Sequence, residues 1–147
     1  MEEPLQRRAS RLILLDPERR VLLFRHTRTN GETFWAPPGG GVESAETFEQ
    51  AAAREASEEL GITASVTRLL WKHEADFEHV CGFVHQQEQF FLIESKLPDE
   101  LSNVQQVHAQ EGIVEMCWWS IAELESTNEP IFPEDLSFRL SKISDLG

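Results

Sequence analysis

The stretch from Phe34 to Gly61 constrains this chain most. Phe34-Trp35-Ala36 is a short apolar run of strand character, and Pro37-Pro38 halts it because proline brings no N–H to a ladder. Three consecutive glycines follow, Gly39-Gly40-Gly41; a backbone without Cβ atoms takes positive φ or lies hard against a neighbour. Thr47 to Leu60 then reads as a helix rich in Ala and Glu, with Ser44 as its expected N-cap and Gly61 as its stop.

Strands flank this unit. Ala9 to Leu15 and Val21 to Arg25 read as two strands joined by a turn at Asp16-Pro17-Glu18-Arg19, which predicts a hairpin. Thr27 to Thr33 is a polar loop around Asn30-Gly31. Ala64 to Trp71 and Val80 to Glu94 are expected strands, the second interrupted near His85-Gln86-Gln87. Ser95 to Gly112 is a polar loop too long for a simple connector. Met116 to Trp119 is a last strand, Ser120 caps a short helix through Glu125, and Pro133 opens a final helix ending near Lys142. The pattern predicts an α/β fold, a mixed sheet with helices on its faces. With 147 residues, no repeat and no low-complexity linker, a single domain over 1–147 is expected.

Charge narrows the partners. The chain holds 13 Lys and Arg against 26 Asp and Glu, a net charge of −13. A field of that sign opposes binding of a nucleic-acid backbone or an anionic membrane through the bulk surface. The first 30 residues differ, with seven arginines against four carboxylates. Met1-Glu2-Glu3-Pro4 lacks a basic leader, and the run Leu12 to Leu15 is too short to span a membrane. Cys81 and Cys117 stand apart and are expected as reduced core residues, in keeping with a cytoplasmic protein.

On a helical wheel at about 100° per residue, Phe48, Ala52, Ala53, Ala56 and Leu60 share the face a core would take. Glu55, Glu58 and Glu59 crowd one patch at its edge. Like charges at such spacings repel, Arg54 offsets only part of this, and the helix has no lysine. Hard divalent cations, which prefer oxygen ligands, would explain the cluster; a solvated acidic face is the alternative.

The wider spacing decides between them. From Gly40 the chain runs through Glu46, Arg54-Glu55-Ala56, Glu58-Glu59 and Gly61-Ile62 in the pattern G-x5-E-x7-R-E-U-x-E-E-x-G-U. This resembles the Nudix hydrolase family, with the box from Gly40 to Ile62 and a similar approach from Trp35 to Glu43. Ala45 departs from the family, where glycine is usual before the first Glu, and Ala56 is a small occupant of an aliphatic position.

The resemblance implies a Nudix-type α/β/α sandwich and hydrolysis of a nucleoside diphosphate derivative by water attack at phosphorus. It implies Mg²⁺, with Mn²⁺ as the substitute, held by Glu55, Glu58, Glu59 and the carbonyl of Gly40. Glu46 and Arg54 would brace the site. The family places its general base variously, which makes Glu58, Glu59 and Glu111 the catalytic candidates. Glu111, like His108, lies in the long polar loop; Arg25, Arg28 and His108 are the candidate substrate contacts. A small nucleotide-like diphosphate is the expected partner, with no nucleic acid, no membrane and a homodimer in keeping with the family. The alternative is an inactive Nudix-fold nucleotide-binding or regulatory module.

Overall fold

A computed structural model describes residues 5–143 except 17, 29, 61–64, 80–81 and 95–112. The chain divides into two compact units, one built from the first 12 residues with 39–95 and the other from 13–38 with 96–147. Each unit contains both strands and helices, as an α/β chain should.

The first unit is organised by a four-stranded sheet. Its strands are β1 (Leu5–Leu14), β4 (Gly39–Gly41), β5 (Ser65–His79) and β6 (Gly82–Glu94), in the order β4-β1-β6-β5. Helix α1 (Phe48–Leu60) belongs to this unit. Its buried apolar side chains include Leu12, Ala52, Ala56, Leu60, Phe90 and Ile93. The three glycines form β4 and pair antiparallel with β1 through Ala9–Gly41, Ser10–Gly40 and Arg11–Gly39.

The expected interruption at His85-Gln86-Gln87 does not occur. These residues stay in register with Asp76, Ala75 and Glu74, and Asp76 accepts from His85 across the strands at 2.6 Å. Read by composition, a polar run resembles a loop; cross-strand partners make it a strand. The same pairing carries β5 past Trp71 to His79, with register shifts at 66/68 and 69/71.

The second unit holds a three-stranded sheet in the order β3-β2-β7, from β2 (Val21–Thr27), β3 (Thr33–Ala36) and β7 (Ile113–Trp119). β2 is central, which explains why Val21, Leu22, Leu23 and Phe24 are all buried instead of alternating. The predicted hairpin of the first two strands is therefore wrong. β1 and β2 belong to different sheets, and a single antiparallel bridge, Leu15–Val21, is what remains of it. The turn itself forms: Asp16 accepts from the backbone N–H groups of Glu18 and Arg20.

Two short helices complete this unit, α2 (Ile121–Ser126) and α3 (Leu136–Ser141). Ser120 caps α2 as expected, in a reciprocal box with Glu123. The last helix opens at Leu136 instead of Pro133, with Asp135 at its N-cap. Cys117, expected in the core, is exposed on β7, where its Sγ donates to the Trp118 carbonyl; Cys81 lies outside the described residues. Among the described residues no helix is long and apolar enough to cross a membrane.

Candidate functional site

The site begins at the start of α1. Ser44 was the expected cap, but Thr47 takes that role: its Oγ1 accepts from Gln50 N–H, and Gln50 Oε1 accepts from Thr47 N–H, both at 3.0 Å. Before it the backbone turns through Ala45, whose φ is +72°, a left-handed conformation that costs an L-residue about 1 kcal/mol. Here, where the family usually has glycine, the structure demands the glycine-like shape and alanine adopts it. Ser10, fully buried on β1, donates through Oγ to the Phe48 carbonyl at 2.6 Å and ties the first turn of α1 to the sheet.

The helix buries Ala52, Ala56 and Leu60 as the wheel favoured, but its inward face is rotated toward the carboxylates. Ala51, Ala52, Glu55, Ala56, Glu59 and Leu60 are buried, whereas Ala53 is exposed and Phe48 half-buried. Two carboxylates thus lie on the buried face, Glu55 at 7% exposure and Glu59 at 8%. Burial pushes the Glu55 carboxyl up to about 7, and the negative charge of Glu59 adds to the rise against the pull of Arg54. Glu58 is exposed on the flank.

Arg54 organises the rim. Its Nε and Nη2 donate to the two oxygens of Glu46 at 2.8 and 3.0 Å, a bidentate clasp. Nη2 also donates to the Gly41 carbonyl at 2.8 Å. Nη1 donates to Glu55 Oε1 and to Glu58 Oε2, both at 3.0 Å. Glu46 in turn accepts from the Glu43 backbone N–H at 2.9 Å. The bond to Arg54, then that backbone bond, hold the Glu46 carboxyl below its ordinary range, and Arg54 is shifted upward chiefly by its bond to Glu46.

The glycine strand closes the other side. A Cβ on Gly40 would stand 2.5 Å from Glu55 Oε1 and 2.8 Å from its carboxyl carbon. Only glycine lets the β4 backbone lie this close to the carboxylate. The side chains of Glu55 and Glu58, the Gly41 carbonyl and the Gly40 backbone are thus drawn around Arg54 and the inner edge of α1. Among the described residues no three His, Cys, Asp or Glu side chains are already gathered as a cation site, since Glu58 is turned to Arg54.

Other candidates fall elsewhere. Arg25 is on β2 opposite Trp35, and Arg28 is exposed with its guanidinium 4.4 Å over the Phe34 ring; both belong to the second unit. His108 and Glu111 lie outside the described residues. Sequence reading missed Glu88, which is 1% exposed on β6 and accepts from Arg11 Nε of β1 at 2.9 Å, with His73 Nδ1 of β5 at 3.4 Å. The signal was present: Glu88 keeps step with buried Val84, Phe90 and Leu92, so a charge occupies an inward position of a period-two strand.

The site is a strand of glycines laid against a buried carboxylate on an arginine-clasped acidic helix of an α/β domain. The chain matches the NUDIX domain family over residues 5–140 and belongs to the Nudix hydrolase family. An RNA pyrophosphohydrolase of Caulobacter vibrioides is 31% identical over 145 residues, covering 90% of this chain and 81% of that protein. A prenyl-diphosphate phosphatase of Methanosarcina mazei is 45% identical over 67 residues, a match covering 42% of this chain and only 38% of the relative. The crystal structure of a MutT protein from Methanosarcina mazei Go1 shares the fold, with a TM-score of 0.69 at 22% identity, covering 96% of this chain and 94% of that one. The expected α/β Nudix fold is the observed one.

Proposed function

We propose that this chain is a Mg²⁺-dependent hydrolase of a small nucleotide-like diphosphate, acting as one domain over 1–147. The observation that carries the reading is the pair of carboxylates, Glu55 and Glu59, on the buried face of the box helix, with Glu55 pushed up to about 7 by burial and by its neighbour. The match over 5–140 supports a single functional domain, because it runs through both compact units.

The residues fit a hard divalent cation. Their donor set is oxygen throughout, and the glycine strand leaves Glu55 the space a Cβ at position 40 would fill. Glu55, Glu58, Glu59 and the Gly40 carbonyl would hold the ion. When bound, such an ion polarises phosphoryl oxygens and lowers the pKa of an attacking water. Water adds at phosphorus, the bridging P–O bond breaks, and the proton passes to a carboxylate, for which Glu58, Glu59 and Glu111 are the candidates. Arg54 bonds Glu46, Glu55 and Glu58, and Glu58 would exchange this bond for the ion. Arg25, Arg28 and His108 are the proposed substrate contacts.

The net charge of −13 favours a small anion over a long polyanion. The names of the relatives widen the assay to prenyl diphosphates and RNA. Phosphate release is measured with nucleoside triphosphates, ADP-ribose, NADH, diadenosine polyphosphates, a prenyl diphosphate and an RNA, with Mg²⁺ and with Mn²⁺. Turnover of one small diphosphate that stops on chelation is the expected result. Metal binding with no turnover of any substrate would favour the inactive module, and turnover indifferent to chelation would overturn the reading.

A further inference from the structure

β1 carries two functions on its two faces. Ser10 faces α1 and pins its first turn, whereas its neighbour Arg11 donates to the buried carboxylate of Glu88 on β6 at 2.9 Å. The same two residues are the register partners of the glycine strand, Ser10 opposite Gly40 and Arg11 opposite Gly39. Gly40 is in turn the residue whose backbone lies against Glu55. The position of β1 along the sheet therefore sets where β4 meets the carboxylate.

A short glycine strand cannot fix its own register, because it has no side chains to distinguish one alignment from the next. A slip of one residue shifts the strand by about 3.3 Å and reverses every side chain to the other face. With Glu88 at 1% exposure, such a slip would strand a buried carboxylate away from its arginine, a far larger penalty than misplacing an apolar residue. Fixing register is the best-attested use of a buried ion pair.

We propose that Arg11 and Glu88 are positioning residues of the carboxylate site: their pairing locks β1 on β6 and thereby seats the Gly40 backbone against Glu55. The proposal rests on the cation-site reading above. Its test is Mn²⁺ binding to the whole chain without substrate, followed by paramagnetic resonance, beside thermal unfolding. The double variant R11M/E88L replaces the pair by apolar side chains of similar bulk. It should fold with Tm at or above the wild-type value, yet bind Mn²⁺ at least about tenfold more weakly, since register loses its charged lock. E88Q keeps an acceptor oxygen for Arg11 Nε and should hold Mn²⁺ affinity within about threefold while lowering Tm.

Affinity thus falls in the variant that keeps its stability and holds in the one that loses it, which a purely structural pair would not produce. Unchanged Mn²⁺ affinity in R11M/E88L, or affinity that simply follows Tm in both variants, overturns the proposal. If R11M/E88L does not fold, R11K decides. It keeps the charge without the guanidinium geometry, and a weakening of about fivefold supports the lock while no change refutes it. Absence of Mn²⁺ binding in the wild-type protein would instead refute the cation site itself.

Discussion

Two places in the first unit bury carboxylates, and they solve the cost of doing so differently. On β6, Glu88 is met by Arg11 at 2.9 Å, with His73 beyond on β5. On α1, Glu55 and Glu59 are buried on one helix face, and Arg54 gives Glu55 one bond while spreading its others over Glu46, Glu58 and Gly41. The outcome for Glu55 is a carboxyl raised to about 7 by burial and by Glu59. A buried acid met by an arginine from the next strand holds structure together. A buried acid raised by burial, and further by a second buried acid, is the one proposed to take a cation from solution.

The sharpest way to break this contrast is Glu59→Gln. It should lower activity by at least about 100-fold with little change in Tm, because it removes the charge of a proposed carboxylate ligand and relieves repulsion at once. Near-normal turnover by E59Q would show that the helix pair is not the cation site.

Glu88→Ala tests the other member. It should cost about 2–4 kcal/mol of stability by leaving Arg11 without its acid, measured by denaturant unfolding. A loss under about 0.5 kcal/mol would place Glu88 among surface charges instead.

Gly40→Ala acts between the two. The new Cβ would meet Glu55 Oε1 at 2.5 Å, so the carboxylate must move or the strand must shift. The expected result is about a tenfold loss of Mn²⁺ affinity with about 1–2 kcal/mol of destabilisation, read by titration and melting. Wild-type affinity in this variant would mean that the close approach has no bearing on the site.

Ala45→Gly is a gentler probe of the same glycine-rich approach. At φ +72° it should stabilise by about 0.5 kcal/mol, the relief of left-handed strain less the added freedom of the unfolded chain. A lower Tm would show that the turn is held by something other than backbone shape.

Glu123 supplies an exposed carboxylate for comparison. Its carboxyl is held below the ordinary 4.5 by the Ser120 backbone N–H and then by the Ser120 side chain. The sign follows: its contribution is whole above pH 4.5 and fades as pH falls through the lowered folded value. The Tm advantage of the wild type over Glu123→Gln should therefore be present at pH 7 and vanish in acid. A gap that widened in acid would contradict the cap.

The fold was legible where local chemistry decides it. The proline stop, the extent of α1 to Leu60 and the Ser120 capping box follow from residues close in sequence. The Glu46–Arg54 clasp was legible for another reason, since family spacing preserves it. Misreadings gathered where a distant strand chose the outcome. His85-Gln86-Gln87 became strand because Asp76 and its neighbours lie opposite, and Leu15–Val21 kept one bridge because β2 found better partners in β3 and β7.

By itself the sequence determined the chemistry on offer: a glycine run at fixed spacing from an acidic, lysine-free helix ending in Glu-Glu-Leu-Gly. Tertiary structure decided which of those acids would be buried. The wheel placed Glu55, Glu58 and Glu59 together at one edge; packing turned Glu55 and Glu59 inward and left Glu58 outside with Arg54. Tertiary structure also gave Glu88 its arginine from a strand 77 positions away. The reason is physical in both cases. Periodicity fixes which residues share a face, but the free energy of burying a charge depends on what the rest of the chain brings to it.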